Sequence, residues 1–326
     1  MKAKKLQILV PQYKETDEVI KPLLESIKLQ QNVNFDEIGV IIVNDGSDTF
    51  LSKELLESYP YEIIYHKNEH SGVSATRNKC LELATADYVM WCDADDMFYN
   101  MCGLWIVLNE AEHSHFDTMV SHFVEETRMP NGSVMYTNHE VDSTFVHGKV
   151  HRRQYLLDND LKFNPKLTIH EDSYFNVLVQ SCTENAVYCG NPFYLWKWRA
   201  DSVCRHDPKY ILKTYINLLD SSTELVHQLT DRKLGDKAKA IATQIIIECW
   251  LTMNTKEFLE QENQEYRRNT ELRFKTYYNE FKTMFNAIDE YTKNQIAMGV
   301  RNRYYQQGLT FEEITFKDWI KHIETI

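Results

Sequence analysis

Short apolar runs alternate with helical segments over the first 92 residues, and this alternation constrains the fold more than any other feature. Four runs have the length and β-branched content of strands: Leu6 to Val10, Ile38 to Val43, Tyr61 to Tyr65 and Tyr88 to Cys92. Three segments between them carry apolar residues at helical spacing: Glu15 to Gln30, Ser47 to Ser58 and Ser74 to Leu83. The alternation predicts an α/β fold with a mostly parallel sheet flanked by helices. Such sheets bind ligands at the carboxyl ends of their strands.

The pattern changes after residue 116. Met119 to Val124 and Val134 to Tyr136 flank Pro130-Asn131-Gly132, which predicts a hairpin, and His151 to Leu157 has a helical pattern. We therefore expect a mixed extension of the sheet. From Pro208 onward the sequence is compatible with helix, and helices are predicted near 209–230, 236–262, 265–286 and 311–323. The sequence predicts two domains, an α/β domain over residues 1–206 and an all-helical region over 207–326.

Charge is distributed unevenly between these two parts. The formal net charge is −12, and residues 207–326 contain 17 Lys and Arg against 18 Asp and Glu, or −1, which leaves −11 for residues 1–206. An acidic domain repels phosphate unless a cation intervenes. A phosphate-bearing ligand of the first domain is therefore expected to arrive with a divalent metal.

Apolar runs such as Val40 to Val43 are far shorter than the ~20 residues of a membrane helix, and those after Lys5 are too short for a signal peptide. The seven cysteines are odd in number and form no Cys-x-x-Cys pair, which is typical of free thiols. From these features we expect a cytoplasmic protein without a transmembrane segment.

Polar residues follow three of the predicted strands. They are Pro11-Gln12-Tyr13, Asn44-Asp45-Gly46-Ser47-Asp48 and Asp93-Ala94-Asp95-Asp96. Crowded carboxylates raise one another's pKa unless a positive charge shares the site, so a hard divalent cation, Mg²⁺ or Mn²⁺, is the simplest partner for the last group. A solvated acidic turn is the alternative. Asp45 is a candidate acceptor for an N–H of a nucleobase, while Ser47 is expected to cap the next helix.

A further segment, Ser71 to Asn78, begins a helix with small residues, so that a ligand can approach the backbone while Arg77 supplies a cation. Helix capping by Ser71 or Ser74 is the structural alternative.

These segments occur in an ordered series that closely resembles the family 2 glycosyltransferases of the GT-A fold. The resemblance covers about residues 5–206. Its six elements are Pro11-x-Tyr13, Val43-Asn44-Asp45-Gly46-Ser47-Asp48, Gly72-Val73-Ser74-Ala75-x-Arg77-Asn78, Tyr88-Val89-x5-Asp95-Asp96, His170-Glu171-Asp172-Ser173-Tyr174-Phe175 and Trp198-Arg199-x-x-Ser202-x-x-Arg205. Six elements in order are far more specific than any one of them.

The resemblance implies a GT-A (Rossmann-like) fold and an inverting, metal-dependent transfer of sugar from a nucleotide sugar, most often a UDP-sugar. It implies that seven residues bind the donor: Pro11, Tyr13, Asp45, Arg77, Asp93, Arg199 and Arg205. Asp93 and Asp95 match the Asp-x-Asp motif, with Asp95 the direct ligand of Mn²⁺ or Mg²⁺. His206 is a further candidate for the metal or the diphosphate, with an ordinary loop histidine as the alternative.

Asp172 matches the family's general base, and Glu171 would position it or touch the acceptor. Without the resemblance, both would be interpreted as acidic residues that complement a helix dipole. The resemblance ends near residue 206. The C-terminal helices are therefore expected to recognise the acceptor or to mediate self-association into a homo-oligomer.

Three functions follow from these patterns. The first is transfer to a hydroxyl of a carbohydrate acceptor, a glycan or wall polymer. The second is transfer to hydroxymethylated bases of viral (phage) DNA, for which a basic face is available: Arg267, Arg268, Arg273, Lys275, Arg301 and Arg303. The third is an inactive module that binds sugar nucleotides, which the presence of Asp93, Asp95 and Asp172 argues against.

Overall fold

The computed structural model describes residues 4–140, 142, 144–200, 213–260 and 263–326. They belong to two compact units, Met1–Ser202 and Val203–Ile326. In the first unit four parallel strands lie side by side in the order β3-β2-β1-β4. Their bounds are β1 Leu6–Gln12, β2 Ile38–Asn44, β3 Glu62–Lys67 and β4 Tyr88–Trp91. The predicted parallel sheet is thereby confirmed.

The sheet continues beyond β4 in the order β8-β6-β9-β5. The bounds are β5 Met97–Phe98, β6 Thr118–Arg128, β7 Val134–His139, β8 Lys149–Arg152 and β9 Ala186–Trp196. β8 is antiparallel to both β4 and β6, and β9 is parallel to β6. β7 pairs with β6 as the expected hairpin, so the mixed extension of the sheet is also confirmed.

Six helices are described in this unit: α1 Asp17–Lys28, α2 Lys53–Leu56, α3 Val73–Leu83, α4 Gly103–Ser114, α5 Arg153–Asp158 and α6 Glu171–Ser181. Four apolar side chains on one face of α1 are fully buried in the core beside β1 and β2: Ile20, Leu23, Leu24 and Ile27. At roughly 1.5–3 kcal/mol for each buried aliphatic side chain, this face holds the helix against the sheet.

The helix predicted over Ser47 to Ser58 is reduced to the single turn of α2. The chain from Asn44 to Thr49 is held in a turn instead, because the Asn44 amide donates to the Thr49 carbonyl (2.9 Å) and accepts from the Ser47 N–H (2.8 Å). The cap is Ser52, whose hydroxyl accepts from the Leu55 N–H at 3.2 Å. The prediction that Ser47 caps this helix is wrong.

The second unit is helical, as predicted. Its described helices are α7 Tyr215–Asp231, α8 Gly235–Met253, α9 Lys256–Leu259, α10 Gln264–Asn286, α11 Glu290–Gln306 and α12 Phe316–Thr325. The helix predicted over 236–262 breaks after Met253, where the Thr255 hydroxyl caps a new turn by accepting from the Phe258 N–H. The predictions omitted α11. No helix within the described ranges has both the length and the hydropathy to cross a membrane.

Candidate active site

The carboxyl ends of β1, β2 and β4 form the edge at which the candidate residues meet. Pro11 is half-buried within β1, and Tyr13 follows that strand with 43% of its surface exposed. Asp45 follows β2, and the Asp93–Asp96 segment follows β4. Because the strands are parallel and adjacent, these residues come to one edge of the sheet, where the alternation of strands and helices predicted a ligand site.

Asp45 holds the loop that leads into α3. Its carboxylate accepts from the Ser71 N–H at 2.8 Å and from the Gly72 N–H at 3.0 Å. The imidazole Nδ1 of His70 lies 2.9 Å from the same carboxylate. Asp45 is buried, so these bonds satisfy a charge that water does not reach. The carboxylate therefore fixes the path of the chain from His70 to Gly72 at the edge of the site.

His70 also stacks on the exposed ring of Tyr13, with 4.8 Å between centroids and 23° between planes. The two rings come from different loops, one after β1 and one after β3. Tyr13 was predicted as a site residue and His70 was not, because no local pattern relates residues 57 positions apart. The pair forms an aromatic surface directly beside Asp45.

Arg77 links two acidic segments. It is buried, and its guanidinium donates to Glu171 Oε1 at 2.8 Å and to Asp93 Oδ1 at 3.2 Å. Burial disfavours the charge, but Asp93 and Glu171 outweigh burial and raise the pKa of Arg77. Arg77 thereby ties the end of β4 to the first turn of α6.

The three aspartates after β4 have different environments. Asp96 is fully buried, where it accepts from the Tyr194 hydroxyl (2.5 Å) and from the Lys197 N–H (2.9 Å). Burial, and then the charges of Asp95 and Asp93, raise the pKa of Asp96 well above its usual value. Asp93 and Asp95 keep 32% and 29% of their side-chain surface exposed. These two are therefore the carboxylates that a ligand can reach.

Asp95 pairs with Arg199, whose Nη1 lies 2.9 Å from Oδ2. Asp93 is held by Arg77 and faces the imidazole of His147, and although burial opposes ionisation, the His147 and Arg77 interactions lower its pKa. An ionised carboxylate is what a hard cation requires.

His147 lies at the site although it was not among the residues predicted for it. Its Nε2 lies 3.7 Å from Asp93 and 3.8 Å from Asp96, and each of the three residues offers a possible ligand atom within 4.8 Å of the others. The buried Nδ1 has no partner among the described residues. Asp93, Asp96 and His147 thus form a group that could hold a metal ion. His147 lies 51 positions after Asp96 and two residues before β8, so only the antiparallel pairing of β8 with β4 brings them together.

Asp172 begins α6 beside Glu171. Burial and the neighbouring Glu171 charge raise the pKa of Asp172 to about 7, although Arg77 opposes the shift. Lys149 of β8 is buried, and burial lowers its pKa to about 8, although the charges of Asp142 and then Asp172 oppose that shift. A carboxyl group that titrates near neutrality is suited to proton transfer.

Glu171 turns toward Arg77, so the adjacent carboxylates of α6 have different partners. Two further candidates, Arg205 and His206, lie outside the described residues. The described site therefore consists of Tyr13, Asp45 and His70 at one end and the remaining charged groups at the other: Arg77, Asp93, Asp95, His147, Glu171, Asp172 and Arg199.

Comparison with known proteins gives a consistent result. The family model described as glycosyl transferase family 2 matches residues 7–176, just over half of the chain. The putative glycosyltransferase EpsH of Bacillus subtilis is 23% identical over 284 residues, which cover 78% of this chain and 77% of EpsH. Teichoic acid poly(glycerol phosphate) polymerase of Staphylococcus epidermidis is 41% identical over 99 residues, which cover 28% of this chain and 13% of that protein.

Among solved structures, the crystal structure of S. aureus TarS 1–349 is similar, with a TM-score of 0.65 and 16% sequence identity over 94% of this chain and 96% of that chain. TarS 1–349 in complex with UDP-GlcNAc gives a TM-score of 0.57 over the same shares of the two chains, also at 16% identity. At this identity the likeness concerns the fold, and it confirms the GT-A fold predicted from the sequence.

Proposed function

The chain belongs to glycosyl transferase family 2, and from that premise we propose that it transfers a sugar from a UDP-sugar to a hydroxyl group of a glycan or wall polymer, with inversion at the anomeric carbon. Its similarity to a teichoic acid polymerase favours a wall polymer, and the TarS complex with UDP-GlcNAc favours a UDP-sugar.

One observation carries this proposal: the first turn of α6, which bears Asp172, is linked to Asp93 after β4, and burial and Glu171 raise the pKa of Asp172 to about 7. The link runs from Asp172 to its neighbour Glu171, through Arg77, to Asp93. A general base works best when its pKa lies near the working pH. The arrangement therefore supports a base for the acceptor hydroxyl next to a donor site.

For donor binding, the exposed ring of Tyr13 offers a surface on which a nucleobase can stack, and the loop held by Asp45 borders it. Asp93 and Asp95 would hold Mn²⁺ or Mg²⁺, which supplies positive charge to offset that of the leaving diphosphate. Arg199, 2.9 Å from Asp95, offers a second positive charge at the same place. Pro11 would border the nucleobase from β1.

The proposed reaction is a single displacement. The acceptor hydroxyl oxygen forms a bond to the anomeric carbon, while the bond from that carbon to the diphosphate oxygen breaks and its electron pair leaves with the diphosphate. Asp172 accepts the hydroxyl proton on its carboxylate, which can contribute about 10²–10⁴-fold to the rate. Arg77 holds Glu171 and so fixes the first turn of α6 that carries Asp172.

A DNA acceptor is less well supported. Three arginines of the predicted basic face are already paired within the protein: Arg267 with Glu271 (3.3 Å), Arg273 with Asp220 (2.6 Å) and Arg303 with Glu248 (2.8 Å). A polyanion would have to compete with these carboxylates.

Calorimetry with UDP tests the donor site. UDP is expected to bind in the presence of Mn²⁺ and at least about tenfold more weakly in excess chelator or after Asp95→Ala. Equal binding in all three conditions would rule out metal-assisted donor binding.

Release of UDP from UDP-GlcNAc in the presence of an acceptor glycan tests the base. Asp172→Asn should retain UDP affinity and lose transfer by at least about 10²-fold, because it removes a proton acceptor and no donor contact. Asp160→Asn is the matched control, since the Asp160 side chain is exposed and pairs with Lys162. Near-normal transfer by the Asp172→Asn variant would exclude Asp172 as the base.

A further inference from the structure

The second unit contains a cavity of about 560 Å³, a size typical of small-molecule sites. Its walls come from α8, the end of α10, α11 and the segment 313–316, all within Val203–Ile326. None of the predicted donor-site residues that the structure describes lines it. The residues of the cavity therefore have no part in the donor site proposed above.

Arg301 is the most distinctive residue of this cavity. Its guanidinium lies 5.5 Å from the ring centroid of Trp250 and 5.5 Å from that of Phe311. Trp250 is fixed in turn, because its indole N–H donates to the Ile314 carbonyl at 3.2 Å. Within the described parts of the chain, Arg301 makes neither a hydrogen bond nor an ion pair. The guanidinium thus lies near two aromatic rings while its N–H donors stay available to a ligand.

The other polar side chains of the cavity provide both donors and acceptors. Asn294 and Glu313 are exposed and have no hydrogen-bond partner in the ranges that the structure describes. Lys293, by contrast, is committed to Glu290 at 2.8 Å and lies 4.3 Å above the Phe285 ring. A free amide, a free carboxylate and a free guanidinium therefore face one cavity whose walls include aromatic rings.

The charges of the cavity balance. Lys293 and Arg301 contribute two positive charges, and Glu290 and Glu313 contribute two negative charges. A balanced lining gives no net attraction to a phosphate or a polyanion. It suits a ligand whose groups both donate and accept hydrogen bonds and which also presents an apolar surface to aromatic rings.

We propose that this cavity binds a neutral saccharide unit of the acceptor glycan. A sugar ring has hydroxyls that accept from Arg301 and Asn294 and donate to Glu313, and C–H faces that pack against rings such as that of Phe316. The assignment of the saccharide to the acceptor rests on the glycosyltransferase function proposed above. Binding of the saccharide is a property of the cavity alone.

Titration of the full-length chain with chitotriose and maltotriose, followed by saturation-transfer NMR and calorimetry, tests the proposal. At least one of the two should bind, and Arg301→Gln should weaken that binding by at least about tenfold through the loss of charged donors. Arg268→Gln is the matched control, because Arg268 is an exposed arginine outside the cavity. Glu313→Gln is a second variant at an exposed position, and it should weaken binding by at least about threefold.

Three results would overturn the proposal: no binding of either trisaccharide, unchanged binding by both cavity variants, or tighter binding of sn-glycerol 3-phosphate than of the trisaccharides. UDP affinity with Mn²⁺, measured on the same samples, should be unchanged in Arg301→Gln, and an unchanged far-UV circular dichroism spectrum shows that the helices of the variant are folded. If the unaltered chain does not bind UDP, the result counts against the proposed donor site. The saccharide titration can still be interpreted in that case.

Discussion

At the scale of single residues, the environment of Asp172 determines when transfer can occur. Burial and Glu171 raise its pKa to about 7, and a general base must be unprotonated to act. Transfer at saturating donor should therefore rise with pH through about 7 and level off above it. UDP release measured from about pH 5 to 9 checks this. A flat profile, or a midpoint near 4, would contradict it.

A matched variant separates the causes of this shift. Glu171→Gln removes the neighbouring negative charge and keeps a side chain of the same shape, so the midpoint of the profile should move to lower pH. Glu18→Gln is the control, since Glu18 is an exposed carboxylate in the first turn of α1. An unchanged midpoint in Glu171→Gln would mean that burial alone sets the pKa.

The same shift predicts a cost in stability. The pKa of Asp172 is higher in the folded protein than the value of 3.8 expected when unfolded, so the folded state binds the proton more tightly. The stabilisation from that proton is complete below about pH 4 and is lost as pH rises through about 7. The Tm of Asp172→Asn minus the Tm of the unaltered chain should therefore be larger at pH 8 than at pH 4. An equal difference at both values of pH would contradict the raised pKa.

At the scale of elements, Arg77 of α3 joins the end of β4 to the start of α6. Removal of its charge by Arg77→Met leaves Glu171, only 12% exposed, without its partner. Breaking a buried pair typically costs about 3–5 kcal/mol. Lys79→Met on the same helix is the control, because Lys79 pairs with an exposed Glu82 and such pairs contribute about 0–1 kcal/mol. Urea denaturation measures both, and equal losses would show that Arg77 does not stabilise the junction.

The loop after β2 gives a second comparison at this scale. Gly46 has φ +75°, and a Cβ there would lie 2.4 Å from the His70 backbone nitrogen. Gly132 has φ +84° with open space around its position. Gly46→Ala should therefore cost more than the ~1–2 kcal/mol of left-handed backbone strain that Gly132→Ala incurs. It should also weaken UDP binding by displacing His70. Chemical denaturation and calorimetry check both effects, and equal costs would contradict the close approach.

Local patterns predicted the elements whose buried residues form a continuous apolar run or one face of a helix. β1 and β2 are buried at almost every residue, α1 is buried along one face, and the aspartates follow β4 at the predicted place in the chain. α11 was missed because its buried side chains are only Lys293, Val300 and Tyr304, which do not form an apolar stripe. His147 and His70 were missed because strand pairing and a loop contact, rather than sequence spacing, bring them to the site.

At the scale of the whole molecule, the two parts of the chain differ in net charge. Residues 1–206 carry −11 and residues 207–326 carry −1, yet the donor proposed for the acidic half is itself an anion. Arg77 and Arg199 offset part of this charge at the strand ends, and each is already paired with carboxylates. A divalent cation would supply the remaining positive charge.

The net charge of −1 on residues 207–326 bears on whether the acceptor is a glycan or DNA. A protein that neutralises several DNA phosphates loses about 0.9 in the logarithm of its binding constant per phosphate for each tenfold rise in salt. Arg267, Arg273 and Arg303 are paired internally, which leaves Arg268, Lys275 and Arg301 of the predicted basic face without an ion pair among the described residues. Fluorescence anisotropy of the full chain with a labelled duplex, at about 50 to 200 mM salt, should therefore give weak binding and a slope no steeper than about 3. A steep slope that falls in Arg268→Gln would instead favour DNA, because Arg268 is exposed and without an ion pair within the described residues.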